Sequence, residues 1–320
     1  MSRLITRQEI AEAAEGAYTM ARVDNGGHNA HYIPYLANVP SDLFAMTVTL
    51  PDGEVFSFGD DAYVFGIESV SKVASAILAM KQWSPEMVLR KIGADATGLP
   101  FSSIFSILLE NDHPSTPLVN AGAISTCSMV KPLGNPVGKW KAIVDNMVSL
   151  FGSEPQLIDE LYRSESDTNY NNRSMTWLLK KHDRLYDDPM MSLDLYTRQC
   201  SLGVTCRQLS AMAATIANGG INPLTGERSF PEEISPKIVS MMASVGFYQH
   251  TGDWMFSSGL PAKTGVGGGI VGVLPGLLGI AAFSPRLDQA GNSVRAQAAI
   301  KQFMQTLGLG IYNSTQVELG

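Results

Sequence analysis

Ser69 and Lys72 stand three residues apart in IESVSKVASAILAM, residues 67–80, where Lys72 is the one basic side chain among small and apolar neighbours. Residues at i and i+3 share a helix face, and residues at i and i+1 do not. A helix opening at Ser69 therefore brings its hydroxyl to Lys72 and turns Ser71 away. A serine hydroxyl is a weak nucleophile that needs an adjacent base. Lysine serves as that base when neutral, and full burial among apolar groups lowers its pKa by up to ~3–5 units. The free N–H groups at a helix start also favour developing negative charge. This pattern suits acyl transfer, with Ser69 as nucleophile and Lys72 as base. The competing local role is a structural ion pair between Lys72 and Glu68.

A second element lies far along the chain, Lys263-Thr264-Gly265 in LPAKTGVGGG. S-x-x-K early and K-T-G late is the order found in serine penicillin-binding proteins and β-lactamases. A second lysine would lower the pKa of the first by like-charge repulsion. The glycines allow close backbone approach, and a backbone N–H here would complete an oxyanion hole. Other patterns are weaker. Ser128-Met129-Val130-Lys131 repeats S-x-x-K, but at a helix end before Pro132, where a lysine caps carbonyls. Gly267, Gly269 and Gly272 match G-x-G-x-x-G, yet strand and turn follow where a dinucleotide site needs a helix. Ala262 precedes Lys263 where a phosphate-binding loop requires glycine. His28 and His31 lack a nearby carboxylate signature and are read as loop hydrogen-bonders, with no metal expected.

The elements that must position these residues follow from periodicity. Ile10, Ala13, Ala14, Ala17 and Ala21 mark one face of a helix over residues 7–22. LFAMTVTL and EVFSFGD flank the PDG turn as a hairpin, and GGIVGVL and LLGIAAF flank Pro275–Gly276 as a second. Helices are expected from Ser69 and over residues 85–92, 121–130, 138–150, 169–181, 193–201, 207–217 and 232–243. A last one runs from an N-cap at Ser293 to Gly308. Hairpins near both chain ends can join one sheet, covered by the terminal helices on one face and the central helices on the other. The 320 residues are expected to form one catalytic unit, with an α/β lobe of 1–83 plus 246–320 and a helical lobe of 84–245.

Composition narrows the partners. Hydrophobic residues make up 45% and charged residues 17%, below the roughly 25% usual, so a large core is available. A net charge of −7 with no basic run argues against nucleic acid. Residues 1–20 contain no apolar secretory core, and GIVGVLPGLLGIAAF is broken by Pro275 and too short to span a bilayer. Cys127, Cys200 and Cys206 form no C-x-x-C pair. A reduced, cytoplasmic chain without membrane partners is the expectation.

With these residues assembled, the chain resembles the bacterial glutaminases, the serine-dependent glutamine amidohydrolases of the β-lactamase-like superfamily. The resemblance runs from HYIPYLA to SPRLDQAGNSVR. It rests on YIPYLANV, ESVSK, IGADATGLPF, PLVNAGAI, YTRQCS, ANGGINPLTGER, SGLPAKTGVGGGI and AAFSPRLD in that order. It implies an α/β fold of the β-lactamase/transpeptidase-like kind: an antiparallel sheet flanked by helices, with an all-helical lobe and a cleft between. It also implies hydrolysis of the side-chain amide of L-glutamine to L-glutamate and ammonia through a serine acyl-enzyme, with no cofactor, in a homodimer or homotetramer.

Carried over residue by residue, the resemblance makes Ser69 the nucleophile and Lys72 its partner, with Tyr248 or Tyr196 assisting proton transfer. The Ser69 and Val266 N–H groups form the oxyanion hole, backed by Lys263 and Gly265. Substrate is held by Tyr32, Ser69, Asn120, Glu165, Asn172, Tyr196, Tyr248 and Val266. Many family members have glutamine before the nucleophile where this chain has Glu68. That substitution leaves the protonation of Lys72 open.

Residue chemistry agrees in part. A carboxylate at Glu165 suits an α-ammonium, and an amide or phenol suits an α-carboxylate. Glu165 and Asn172 are two turns apart, on one face if one helix holds both. Helix capping near Glu165 and by Asn120, and ordinary core packing of Tyr196 and Tyr248, are the structural alternatives. Tyr32 would otherwise anchor its loop, and Arg198 is taken as structural. Two other functions stay open: a cytosolic β-lactamase- or penicillin-binding-protein-like serine hydrolase, and a non-catalytic glutamine-binding relative.

Overall fold

The computed structural model describes residues 2–109 and 113–320. The two expected hairpins form, and they meet. Ala45–Thr49 pairs with Val55–Gly59 on one side and with Leu278–Phe283 on the other. Leu278–Phe283 pairs in turn with Gly269–Leu274, and that strand with Ala262–Thr264. The result is a five-stranded antiparallel sheet in which the K-T-G strand is an edge. Alternate side chains point to opposite faces of a strand. Met46, Val48, Ile280 and Ala282 accordingly pack with Ile10, Ala13, Ala14, Ala299, Ile300 and Phe303 of the two terminal helices, Arg7–Ala21 and Val294–Leu307. Ala45, Val271, Ala281 and Phe283 face the opposite way, toward Leu209, Met212, Ala213 and Ile216 of the helix Cys206–Ala217. Both faces are covered, which is why the second hairpin reads as continuous apolar runs. Gly279 allows that helix to lie so close: a Cβ there would stand 2.1 Å from the Ala214 nitrogen.

Beyond this sheet the buried helices Ser71–Trp83, Asn120–Met129 and Pro189–Cys200 dominate. Residues 71–80 are buried on every side, so Ala74, Ser75, Ala76 and Ala79 are small because neighbours press from all directions. A three-stranded ribbon, Phe65–Gly66, Leu202–Val204 and Gln156–Leu157, ties the approach to Ser69 to this helical side. The sequence reading did not anticipate that ribbon. Nor did it anticipate the parallel pairing of Ser2–Ile5 with Gln316–Leu319 or the helix Thr251–Ser258. These segments are too short to show a period.

One expectation needs correcting. The helix does not open at Ser69: Glu68–Val70 is a 3₁₀ turn, and the α-helix starts at Ser71. The helix expected over 169–181 forms as Tyr170–Lys181, and Glu165 lies on a separate helix, Asp159–Thr168, so the condition for sharing a face with Asn172 is not met. Ser293 occupies the N-cap position and Gly308 the C-cap as expected, and the Ser293 hydroxyl donates to the Ser284 carbonyl.

Candidate active site

The 3₁₀ turn improves the geometry that the spacing promised. Side chains at i and i+3 nearly eclipse in a 3₁₀ helix. Lys72 Nζ lies 2.5 Å from Ser69 Oγ. The turn is anchored by Ile67 N–H donating to Leu202 O at 2.8 Å, and by Ser71 Oγ donating to Glu68 O at 2.6 Å. Ser71 is thereby spent on the backbone, as its position one residue from Lys72 suggested. The Lys72 amine is fully buried, and its other polar contact is Asn120 Oδ1 at 2.9 Å. Among the described residues no carboxylate forms an ion pair with it. Burial lowers its pKa, opposed by the charges of Cys200, Glu68 and Glu165.

The K-T-G strand comes alongside. Its exit touches the Ser69 turn so closely that a Cβ on Gly267 would stand 2.2 Å from Gly66 O, and one on Gly265 would stand 3.3 Å from the Ser69 nitrogen. Glycine on both sides of Val266 thus brings that residue's backbone against the serine turn. Lys263 is buried and donates to Thr264 O at 2.8 Å and Gly246 O at 3.3 Å. The expected influence between the two lysines runs the other way. Burial accounts for the lowering of Lys72, whereas Lys263 is lowered well below its usual value by burial and then by Lys72.

Tyr248 and Tyr196 approach from different sides. The Tyr248 hydroxyl donates to Thr264 O at 3.2 Å and lies within hydrogen-bonding reach of Ser69. Its ring lies under the Lys263 side-chain nitrogen, 4.1 Å from the ring centroid, and packs on Phe101. Tyr196 flanks Lys72, with Nζ 5.5 Å from the ring centroid, and its hydroxyl faces Cys200. Burial raises the pKa of both phenols. Tyr248 and Glu68 both have left-handed φ, +56° and +49°. Such backbone is uncommon for side-chain-bearing residues and concentrates where function demands it.

Asn120, Asn172 and Glu165 complete the wall. Asn120 does not cap: it opens its helix, with Val119 at the N-cap. Its Oδ1 is taken by Lys72, so its Nδ2 donates to Asn172 Oδ1 at 3.0 Å. That leaves the Asn172 amide nitrogen as a donor toward the cleft. Glu165 lies beside Glu68, and Glu68 Oε1 is buried without a hydrogen-bond donor among the described residues. Tyr32 stands half exposed at the mouth. Together Tyr32, Glu68, Ser69, Asn120, Glu165, Asn172, Tyr196 and Val266 line one cleft of about 1140 Å³.

Sequence reasoning missed some of this cleft's lining. Phe101 lies within the quoted IGADATGLPF, and Cys200 within YTRQCS. Residues 287–291 close the outer side, held to the 24–33 loop by paired backbone bonds of His28 and Leu287 at 3.0 and 2.9 Å. Arg198 pairs with Asp194 at 2.9 Å. The second S-x-x-K does not form a pair: Ser128 Oγ donates to Ser125 O, and Lys131 Nζ donates to Gln82 O.

A family model described as Glutaminase matches residues 27–312. A glutaminase of Bacteroides thetaiotaomicron is 62% identical over 317 residues, covering 99% of this chain and 99% of its own. A glutaminase of Parabacteroides distasonis is 61% identical over 319 residues, covering 100% of this chain and 99% of its own. A solved structure described as probable glutaminase YbaS superposes with a TM-score of 0.95 at 44% identity, covering 97% of this chain and 100% of that one.

Proposed function

The chain belongs to the glutaminase family and is an amidohydrolase acting on glutamine, and on that premise we propose that Ser69 carries the reaction through a γ-glutamyl acyl-enzyme. Its antiparallel sheet flanked by helices is the β-lactamase-like arrangement. The observation that carries the proposal is the 2.5 Å approach of a buried, unpaired lysine amine to the serine hydroxyl. Neutral Lys72 takes the Ser69 proton as Oγ attacks the side-chain amide carbon. The Ser69 and Val266 N–H groups hold the oxyanion, a contribution of ~3–4 kcal/mol per donor in comparable sites. The C–N bond then breaks, and the departing nitrogen leaves as ammonia with a proton from the Lys72 ammonium, relayed by Tyr248. Water attacks the acyl carbon and gives its proton to Lys72. Glutamate leaves as Oγ regains its proton.

The substrate's α-ammonium is assigned to Glu165. The α-carboxylate goes to the Asn172 amide and neighbouring phenols, with Tyr32 at the entrance. Tyr248 is preferred to Tyr196 as the relay because it reaches Ser69, whereas Tyr196 reaches Cys200. Ser69→Ala should abolish ammonia release from glutamine while leaving circular dichroism and melting temperature unchanged. Undiminished release would remove the nucleophile assignment, and asparagine serves as the substrate control. No helix among the described residues is long and apolar enough to cross a membrane. We further propose a cytoplasmic homodimer or homotetramer, which light scattering on purified protein would test.

A further inference from the structure

Glu68 precedes the nucleophile, is 3% exposed, and lines the cleft beside Glu165. Its backbone is held in a left-handed conformation that directs the side chain inward, against Gly66, Gly265 and Gly267. Its Oε1 finds no donor among the described residues. The two carboxyl groups are within hydrogen-bonding reach of each other. Two ionised carboxylates cannot bond, because both only accept; one proton between them turns the contact into a hydrogen bond.

The surroundings offer little else to neutralise the pair. Lys72, Tyr32, Tyr196, Tyr248 and Cys200 face it from the neighbouring elements. Of these only Lys72 can carry positive charge, and its amine is directed to Ser69 and Asn120. Burial, then the charge of Glu165, then their mutual hydrogen bond push Glu68 well above the usual carboxylate range, opposed by Lys72. Burial raises Glu165 as well.

We propose that Glu68 and Glu165 share one proton in the empty site and release it to solvent when an ammonium group enters, so that glutamine binding is proton-linked. This rests on the assignment of the α-ammonium to Glu165. The balance is simple: a carboxylic acid and a carboxylate become two carboxylates around one cation, and one proton goes to buffer. The pair titrates as a unit, so the proton belongs to both. Glu68 thereby acts as a binding-site acid rather than as part of the nucleophile's machinery. Below the pair's apparent pKa, affinity for glutamine falls by up to about tenfold per pH unit of acidification.

The test uses Ser69→Ala protein, which binds without turnover, titrated calorimetrically with L-glutamine over a series of pH values in buffers of different ionisation enthalpy. The expected result is release approaching about one proton per glutamine. In Ser69→Ala/Glu68→Gln the release falls to zero, because an amide can donate to Glu165 but has no proton to lose. Glutaramate, which is glutamine without its α-amino group, binds Ser69→Ala without release or does not bind. Binding of glutamine without proton release overturns the inference alone. So does release that persists in the double variant, which would place the proton on Glu165 alone or on Lys72. If the double variant does not fold, equal release with glutaramate and glutamine overturns it. Absence of any glutamine binding overturns the substrate assignment, and the inference with it.

Discussion

Replacing Lys72 with methionine tests the base assignment most sharply. Methionine nearly matches the lysine stem in volume and suits the buried position of Lys72. The substitution removes the contacts to Ser69 Oγ at 2.5 Å and Asn120 Oδ1 at 2.9 Å and, among the described residues, leaves no other base on the serine except the Tyr248 phenol. That phenol's pKa is raised by burial, so it does not supply a ready anion. Loss of a positioned general base costs ~10²–10⁴ in rate. At 1.36 kcal/mol per decade this is ~3–5 kcal/mol of transition-state stabilisation.

Ammonia release, followed by NADH oxidation as added glutamate dehydrogenase combines the ammonia with 2-oxoglutarate, reads this directly. Wild type should gain activity as pH rises through the lowered Lys72 value, because the neutral amine is the base. Lys72→Met should lose that limb. Stability gives an independent reading. A lysine depressed by burial binds fewer protons folded than unfolded, so wild-type stability rises with pH between its folded and unfolded values. The melting temperature of Lys72→Met relative to wild type should therefore decline as pH rises through that window. Activity within about tenfold of wild type, which is less than the smallest loss the base role allows, would refute the reasoning. So would an unchanged pH limb.

Two further substitutions probe the scaffold. Gly267→Ala places a Cβ 2.2 Å from Gly66 O, so the strand exit must draw back from the serine turn and carry the Val266 N–H with it. Steady-state kinetics should show kcat falling by roughly 10²-fold with KM little changed, and a kcat within twofold of wild type would dismiss the oxyanion role. Lys139→Met removes the fully buried cationic partner of the partly buried Asp187, outside the cleft, and leaves that carboxylate the Gly134 and Asp188 N–H donors; it should cost ~1–3 kcal/mol in denaturant unfolding with kcat intact in the folded enzyme. Burial is the largest influence on Asp187 and opposes its ionisation, but the hydrogen bonds from Lys139, Gly134 and Asp188 together with the lysine's charge outweigh it and lower the pKa. The contribution is present above the unfolded value and disappears as pH falls through the folded one, so the gap between variant and wild type should close in acid.

The legible parts were those set by short-range geometry. A three-residue spacing joins Ser69 to Lys72 in either an α-helix or a 3₁₀ turn, so the pairing survives although the helix starts two residues later than expected. Period-two runs and the Pro275–Gly276 turn suffice to mark the hairpins, because alternation and turn chemistry are properties of neighbouring residues. The helix start at Asn169 was legible, whereas the separate helix Asp159–Thr168 that carries Glu165 was not, because its few apolar residues show no clear period.

What the sequence alone determined was the candidate nucleophile, its base, the two hairpins and the glycines that leave room beside Val266. Tertiary structure alone decided that Asn120 orients Lys72 from 48 positions away, that Tyr248 rather than Tyr196 reaches the serine, and that Glu68 meets Glu165 instead of Lys72. Local order along a chain sets dihedrals and faces. Which distant polar groups meet, and which proton they must then share, depends on how the packed elements exclude water, and that emerges only when the whole core closes.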